Sequence, residues 1–129
     1  MRTGSQVLVV DDEPTARLVL RHSLEGRGYG VAEAQDGIEA MRVASANPPD
    51  CILLDYLMPR LDGIGTLRLI RDHADLRRTP VVVLTGFSGA GHGRAFAELG
   101  AAAVLVKPFS FEALYATLDQ ALAWRLARN

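Results

Sequence analysis

The stretch Cys51-Ile52-Leu53-Leu54-Asp55 runs four residues without a polar break and ends on a carboxylate. A strand with one wet face alternates polar and apolar residues. A short run with no alternation is instead buried on both faces, the habit of parallel sheets covered by helices. Three more runs share this character, at residues 7–10, 81–84 and 102–106. A weaker fifth candidate, 29–34, begins beside Gly28, contains Gly30 and alternates only partly, which suits an edge strand. Helical patterns fill the gaps near 15–26, 36–46, 63–73, 92–99 and 110–127. Strand and helix in strict alternation predict a single α/β domain, a doubly wound parallel sheet between two helical layers.

Boundary residues agree with this reading. Pro14 suits a first helical turn, Asn47-Pro48-Pro49 and Thr79-Pro80 stop helical segments before strands, and Ser110 with Glu112 forms an N-terminal cap. In the last helix, Phe111, Leu114, Tyr115, Leu118, Ala121, Leu122 and Leu126 recur at helical spacing and make a core face. Trp124 lies off that stripe. It is read either as an exposed side chain covering its own helix or as a contact for a partner, including a homodimer through this helix.

Composition narrows the functional classes. The chain has 129 residues, 49% hydrophobic and 22% charged, enough for a core without a disulfide or metal staple. A net charge of −1 leaves no basic excess to track a phosphate backbone, so nucleic acid is not an expected partner. No run approaches the ~20 apolar residues of a membrane span, and the short apolar stretch at 7–10 is too acidic behind to be a signal peptide. Cys51 is the one cysteine, which fits a reducing, cytoplasmic setting, and its place in an apolar strand makes it core rather than a reactive thiol. Of 14 basic residues only Lys107 is a lysine, which marks a place needing a compact point charge.

Strands of a parallel sheet all emerge on one edge, so the residues that follow them share a rim. These residues are Asp11 and Asp12, then Asp55, then Thr85, then Lys107 before Pro108. Ligand sites of open α/β sheets lie at that rim. Two carboxylates ~4 Å apart repel by about 4 kcal/mol at an effective dielectric near 20, so such a cluster makes sense around a cation. Oxygen donors without histidine or cysteine favour Mg²⁺, which binds together with phosphate oxygens. A carboxylate nucleophile at Asp55, a dication, the Thr85 hydroxyl and the Lys107 ammonium together describe phosphoryl transfer. An acyl phosphate on Asp55 would act as a switch, drawing Thr85 and Lys107 toward new negative charge.

The runs Val9-Val10-Asp11-Asp12-Glu13-Pro14, Leu53-Leu54-Asp55-Tyr56-Leu57-Met58-Pro59 with Asp62-Gly63, Leu84-Thr85-Gly86 and Val106-Lys107-Pro108-Phe109 resemble a bacterial two-component response-regulator receiver domain of the stand-alone, chemotaxis-regulator-like kind. The resemblance covers about residues 5–125 of a single unit spanning 1–129. It implies a flavodoxin-like sheet of five strands in order 2-1-3-4-5 with five flanking helices. It implies that Asp55 accepts phosphate from the phosphohistidine of a sensor histidine kinase or histidine phosphotransferase, and that a downstream protein target reads the face around the last strands and helices. Its pattern assigns Mg²⁺ to Asp12, Asp55 and the Leu57 backbone carbonyl, with Asp11 acting mainly through water, and makes the Lys107–Pro108 bond cis. Three departures matter. Val104 stands where the family usually has an aromatic switch residue. Leu57 and Phe87 stand where many members are polar, and these apolar side chains are expected to hinder an attacking water and lengthen the phosphoryl lifetime. Gly86, Gly89, Gly91 and Gly93 crowd one loop, read as a segment that orders on phosphorylation.

Two other readings stay open. One is a Mg²⁺-dependent aspartyl phosphatase resembling the haloacid dehalogenase superfamily, with Asp11 as nucleophile and Thr85 and Lys107 in support. Glu13 is an imperfect match for its second acid, and no late acidic pair follows Lys107. The other is a degenerate receiver that acts only as a scaffold. His22, His73 and His92 show no metal-ligand spacing and are placed on helix surfaces, and the glycine loop lacks any nucleotide fingerprint.

Overall fold

The structure is a computed structural model that describes residues 4–56, 63–86 and 90–128. Five strands, β1 (Gln6–Val10), β2 (Gly30–Ala34), β3 (Cys51–Asp55), β4 (Val81–Thr85) and β5 (Ala103–Val106), alternate with five helices. The helices are α1 (Pro14–Glu25), α2 (Gly37–Ala46), α3 (Gly63–Asp72), α4 (Ala90–Glu98) and α5 (Phe111–Arg128). All strand pairs are parallel, in the order β2-β1-β3-β4-β5. This is the doubly wound fold the apolar runs predict.

Side chains along a strand point alternately to opposite faces, and the core divides accordingly. Val7 and Val9 of β1 join Leu20 and Leu24 of α1 and Leu114, Leu118 and Leu122 of α5. Leu8 and Val10 join Ala40 and Ala44 of α2, Leu67 and Ile70 of α3 and Phe96 of α4. The two central strands β3 and β4 are buried at every residue. β2 is an edge strand, as its glycines and partial alternation indicate.

Local signals close the elements as expected in several places. Pro14 opens α1. Ser110 Oγ accepts the Ala113 N–H at 3.1 Å at the start of α5, and Asp36 Oδ1 accepts the Glu39 N–H at 2.8 Å at the start of α2. At the end of the sheet away from the strand C-termini, Arg71 of α3 acts as a clamp. Its Nη2 and Nε donate to the Gly100 carbonyl at 2.7 and 3.1 Å, and its Nη1 donates to Thr79 O at 2.8 Å and Arg77 O at 3.1 Å. Gly100 makes this turn with φ +91°, where a side chain would be strained and would meet Arg71.

Four readings need correction. Gly91 and Gly93, read as part of one glycine-rich loop, lie within α4. The run 102–106 is less deeply buried than its lack of alternation predicts: β5 is the other edge strand, and although Ala103 and Leu105 pack on one half of the core and Val104 on the other, it is only partly buried, with Val106 exposed. Phe111 does not join the core face of α5 but stands 47% exposed at its first turn. Trp124 is half-buried and engaged within the chain rather than a free surface side chain. His22 is exposed and His73 half-buried. Leu57, Phe87, Gly89, and the side-chain surroundings of Gly91, His92, Gly93 and Leu126, lie outside the described residues.

Candidate functional site

The parallel register builds the site. Val10 pairs with Leu54, so the next residues, Asp11 and Asp55, emerge from neighbouring strands. Adjacent strands lie about 4.8 Å apart, which forces the two carboxylates together. Here the strand order reverses direction, the switch point where an open α/β sheet leaves a crevice. On the other side Asp55 pairs with Leu84 and Thr85 with Val106, which brings Thr85 and Lys107 to the same rim. The Lys107 N–H donates to Thr85 O at 2.7 Å, and the Lys107–Pro108 peptide is cis.

One carboxylate oxygen each from Asp11, Asp12 and Asp55 falls within 4.8 Å of the other two. Asp11 and Asp55 are buried and Asp12 is exposed, so the cluster opens on one side to solvent. Lys107 Nζ donates to Asp55 Oδ1 at 2.9 Å, and Thr85 is buried beside them at the strand end. Asp11 Oδ1 accepts the Glu13 N–H at 2.9 Å. Burial above all, with the charges of Asp55 and Asp12, raises the Asp11 carboxyl above its ordinary range, against the opposing pull of the Glu13 amide and Lys107. One ammonium therefore faces three carboxylates. The donors are hard oxygens with no nitrogen or sulfur ligand among them, and the residues fit a divalent cation such as Mg²⁺.

The structure brings Asp11, Asp12, Asp55, Thr85 and Lys107 to one rim, and Pro108 follows directly. Val104 packs with the half of the core that contains Phe96. Several supporting residues escaped the sequence reading. Arg17 donates through Nη1 to the Asp11 carbonyl at 2.6 Å and through Nε to Glu33 Oε1 at 3.0 Å, tying the first acidic loop to α1 and β2. Gly63 donates its N–H to the Tyr56 carbonyl at 2.9 Å, and a Cβ there would come within 2.8 Å of Tyr56 Cα. The pair Asp62-Gly63 was visible, but its reason, close approach to the backbone just after Asp55, needs the fold. Arg17 had no local signal, since its partner Glu33 is 16 positions away.

Comparisons with known proteins agree with the geometry. The family model described as the response regulator receiver domain matches residues 7–119. Response regulator MprA of Mycobacterium sp. (strain KMS) is 42% identical over 113 residues, 88% of this chain but 48% of that protein. The chain thus spans about half the length of such relatives. The Vibrio cholerae chemotaxis protein CheY4 superposes with a TM-score of 0.87 at 33% identity, covering 92% of this chain and 99% of that one. The receiver domain of sensor histidine kinase PA1611 from Pseudomonas aeruginosa PAO1, solved with magnesium in its active-site cleft, gives 0.85 at 33% identity, covering 94% and 99%. Fold, family match and relatives converge, and the chain belongs to the response regulator receiver domain family.

Proposed function

We propose that residues 1–129 form one phosphorylatable receiver unit of a cytoplasmic two-component phosphorelay, with Asp55 as the phosphoacceptor. The ion pair from Lys107 Nζ to Asp55 Oδ1 at 2.9 Å, set against the Asp11–Asp12–Asp55 cluster, carries this reading. Asp55 is the carboxylate from which the cation-binding group and the ammonium are both within reach. Its oxygen attacks the phosphorus of a phosphohistidine, a P–O bond forms as the P–N bond breaks, and the imidazole leaves with a proton from solvent. Lys107 neutralises charge on the incoming oxygens, and the Thr85 hydroxyl donates to one of them. Asp12, Asp55 and the Leu57 carbonyl would hold Mg²⁺, with Asp11 acting mainly through water. Bound there, the ion supplies charge neutralisation for the phosphoryl oxygens.

The face that admits the donor lies beside this rim. A groove of about 450 Å³ between α1 and α5 is lined by Leu18, Val19, His22, Ser23, Phe111 and Tyr115. A second cavity of about 530 Å³ shares Val19 and Phe111 with it and reaches Asp11 and Lys107. Leu18 is 58% exposed and Val19 and Phe111 47% each, an apolar approach to the rim at Asp11 and Lys107. This surface fits a sensor kinase or histidine phosphotransferase that delivers its phosphohistidine over α1. Downstream signalling then runs through contact with a protein target.

Intact mass after incubation with acetyl phosphate and Mg²⁺ tests the reading. Wild type gains one phosphoryl group and Asp55→Asn gains none, while Asp11→Asn retains a slower gain. Steady release of inorganic phosphate that depends on Asp11 would replace this reading with the phosphatase. No gain from acetyl phosphate or a phosphorylated protein donor would replace it with a scaffold.

A further inference from the structure

Tyr56 follows Asp55 directly, and its backbone is held on both sides. Its N–H donates to Leu84 O at 2.9 Å, and its carbonyl accepts the Gly63 N–H at 2.9 Å. A displacement of the Asp55 peptide is therefore passed to Tyr56 rather than absorbed by a slack loop. The Tyr56 ring meets the Phe96 ring edge to face, with centroids 5.1 Å apart and planes at 79°. Phe96 sits in the last turn of α4 and is 1% exposed, so its ring anchors that helix in the core. Val104 on β5 packs against the same cluster, together with Leu99 and Ala101. Its short β-branched side chain has one restricted torsion and no ring to turn.

We infer that the Tyr56–Phe96 ring contact couples the phosphoacceptor to α4, so that a change in the Asp55–Tyr56 backbone is read out as a change in how firmly α4 is held. The inference rests on Asp55 being the phosphoacceptor. Close-packed interiors move between discrete packings rather than deforming smoothly, and an edge-to-face contact is a geometry that a small shift breaks or improves. An aromatic pair of this kind shifts a two-state equilibrium by about two- to tenfold.

Hydrogen exchange of residues 90–100 in the full chain, before and after acetyl phosphate with Mg²⁺, tests the coupling, with Asp55 occupancy measured by intact mass on the same samples. Wild type and Tyr56→Phe, which keeps the ring, change exchange in α4 on phosphorylation. Tyr56→Leu and Phe96→Leu take up phosphate, but their α4 response shrinks by roughly twofold or more. Tyr56 is half-buried, so its variants keep the test alive should Phe96→Leu fail to fold. A response of wild-type size in the leucine variants, or none in phosphorylated wild type, overturns the inference and leaves the phosphoacceptor reading standing. Absence of phosphorylation in wild type from both acetyl phosphate and a phosphorylated protein donor overturns both.

Discussion

Two glycines at helix boundaries should respond to alanine with opposite signs, because their surroundings differ by only a few tenths of an ångström. At Gly63 an added Cβ meets Tyr56 Cα at 2.8 Å, Tyr56 O at 3.0 Å and Asp55 O at 3.1 Å. All three belong to backbone at the end of a fully buried strand, so no rotamer change relieves the contact. Optimal carbon contacts lie near 3.5–4.0 Å, and overpacking of this sort costs about 1–3 kcal/mol. At Gly26 the nearest atoms are His22 O at 3.4 Å and Ser23 O at 3.5 Å, the ordinary neighbours of a helix end. Its backbone, φ −62° and ψ −20°, is one that alanine adopts without strain. Gly26→Ala should therefore stabilise by about 0.4–1 kcal/mol, chiefly by restricting the unfolded chain. For a domain of this size these values correspond to roughly 3–12 °C lost in Tm for Gly63→Ala and 1–4 °C gained for Gly26→Ala. Urea titration followed by circular dichroism reads both variants. Labelling by acetyl phosphate should also slow in Gly63→Ala, because the displaced backbone carries Asp55, and stay at the wild-type rate in Gly26→Ala. Equal or higher stability in Gly63→Ala would refute the steric reasoning, since the start of α3 would then move aside at no cost.

Arg71→Met keeps the aliphatic packing but removes the donors to Gly100, Thr79 and Arg77. It should cost about 2–4 kcal/mol, read as a lower urea midpoint, because hydrogen bonds from a charged group contribute about 1.5–3 kcal/mol and several carbonyls lose their partner together. Burial pushes the Cys51 thiol from its ordinary 9.0 up to about 12. The unfolded chain therefore releases this proton first, and the stability conferred by a neutral buried thiol is present below pH 9 and lost as pH rises toward 12. The loss should be roughly 1 kcal/mol per pH unit, absent in Cys51→Val, and a difference in alkaline stability slopes between the two proteins checks it. Phe111→Ala removes a side chain that is 47% exposed. Stability should change by less than about 1 kcal/mol, while transfer from a phosphorylated histidine donor slows at least several-fold and labelling by acetyl phosphate does not, in a parallel time course with both donors.

The elements were legible because their signals are short-range and redundant. An unbroken apolar run such as 51–54 has few outcomes other than a doubly covered strand, and each rim residue follows such a run directly. Asp11, Asp55, Thr85 and Lys107 thus needed only parallel register to be assembled. Other features depended on three-dimensional neighbours that no window of sequence contains. The helical period assigns Phe111 to the core, but period fixes a direction and not a depth, and in the first turn of α5 this ring stands 47% exposed. The apolar run of β5 reads like those of β3 and β4, since an edge strand with helices packed on both faces can be as apolar as a central one while its open side leaves it only partly buried. Arg71 looks like any helical arginine; its partners Thr79 and Gly100 are 8 and 29 positions away.

The position of the Arg71 clamp divides the molecule into a conservative pole and a reactive pole. One end of the sheet is fastened by neutral carbonyls around a guanidinium, while the other gathers carboxylates whose proximity works against folding. Charge at the rim can therefore be altered without dismantling the scaffold beneath it. Neutralising Asp11, whose ionised form burial disfavours, should leave a chain harder to unfold and poorer at its chemistry. In an evolutionary lineage, the rim is where activity trades against robustness, and the clamped end is the reserve that makes that trade survivable.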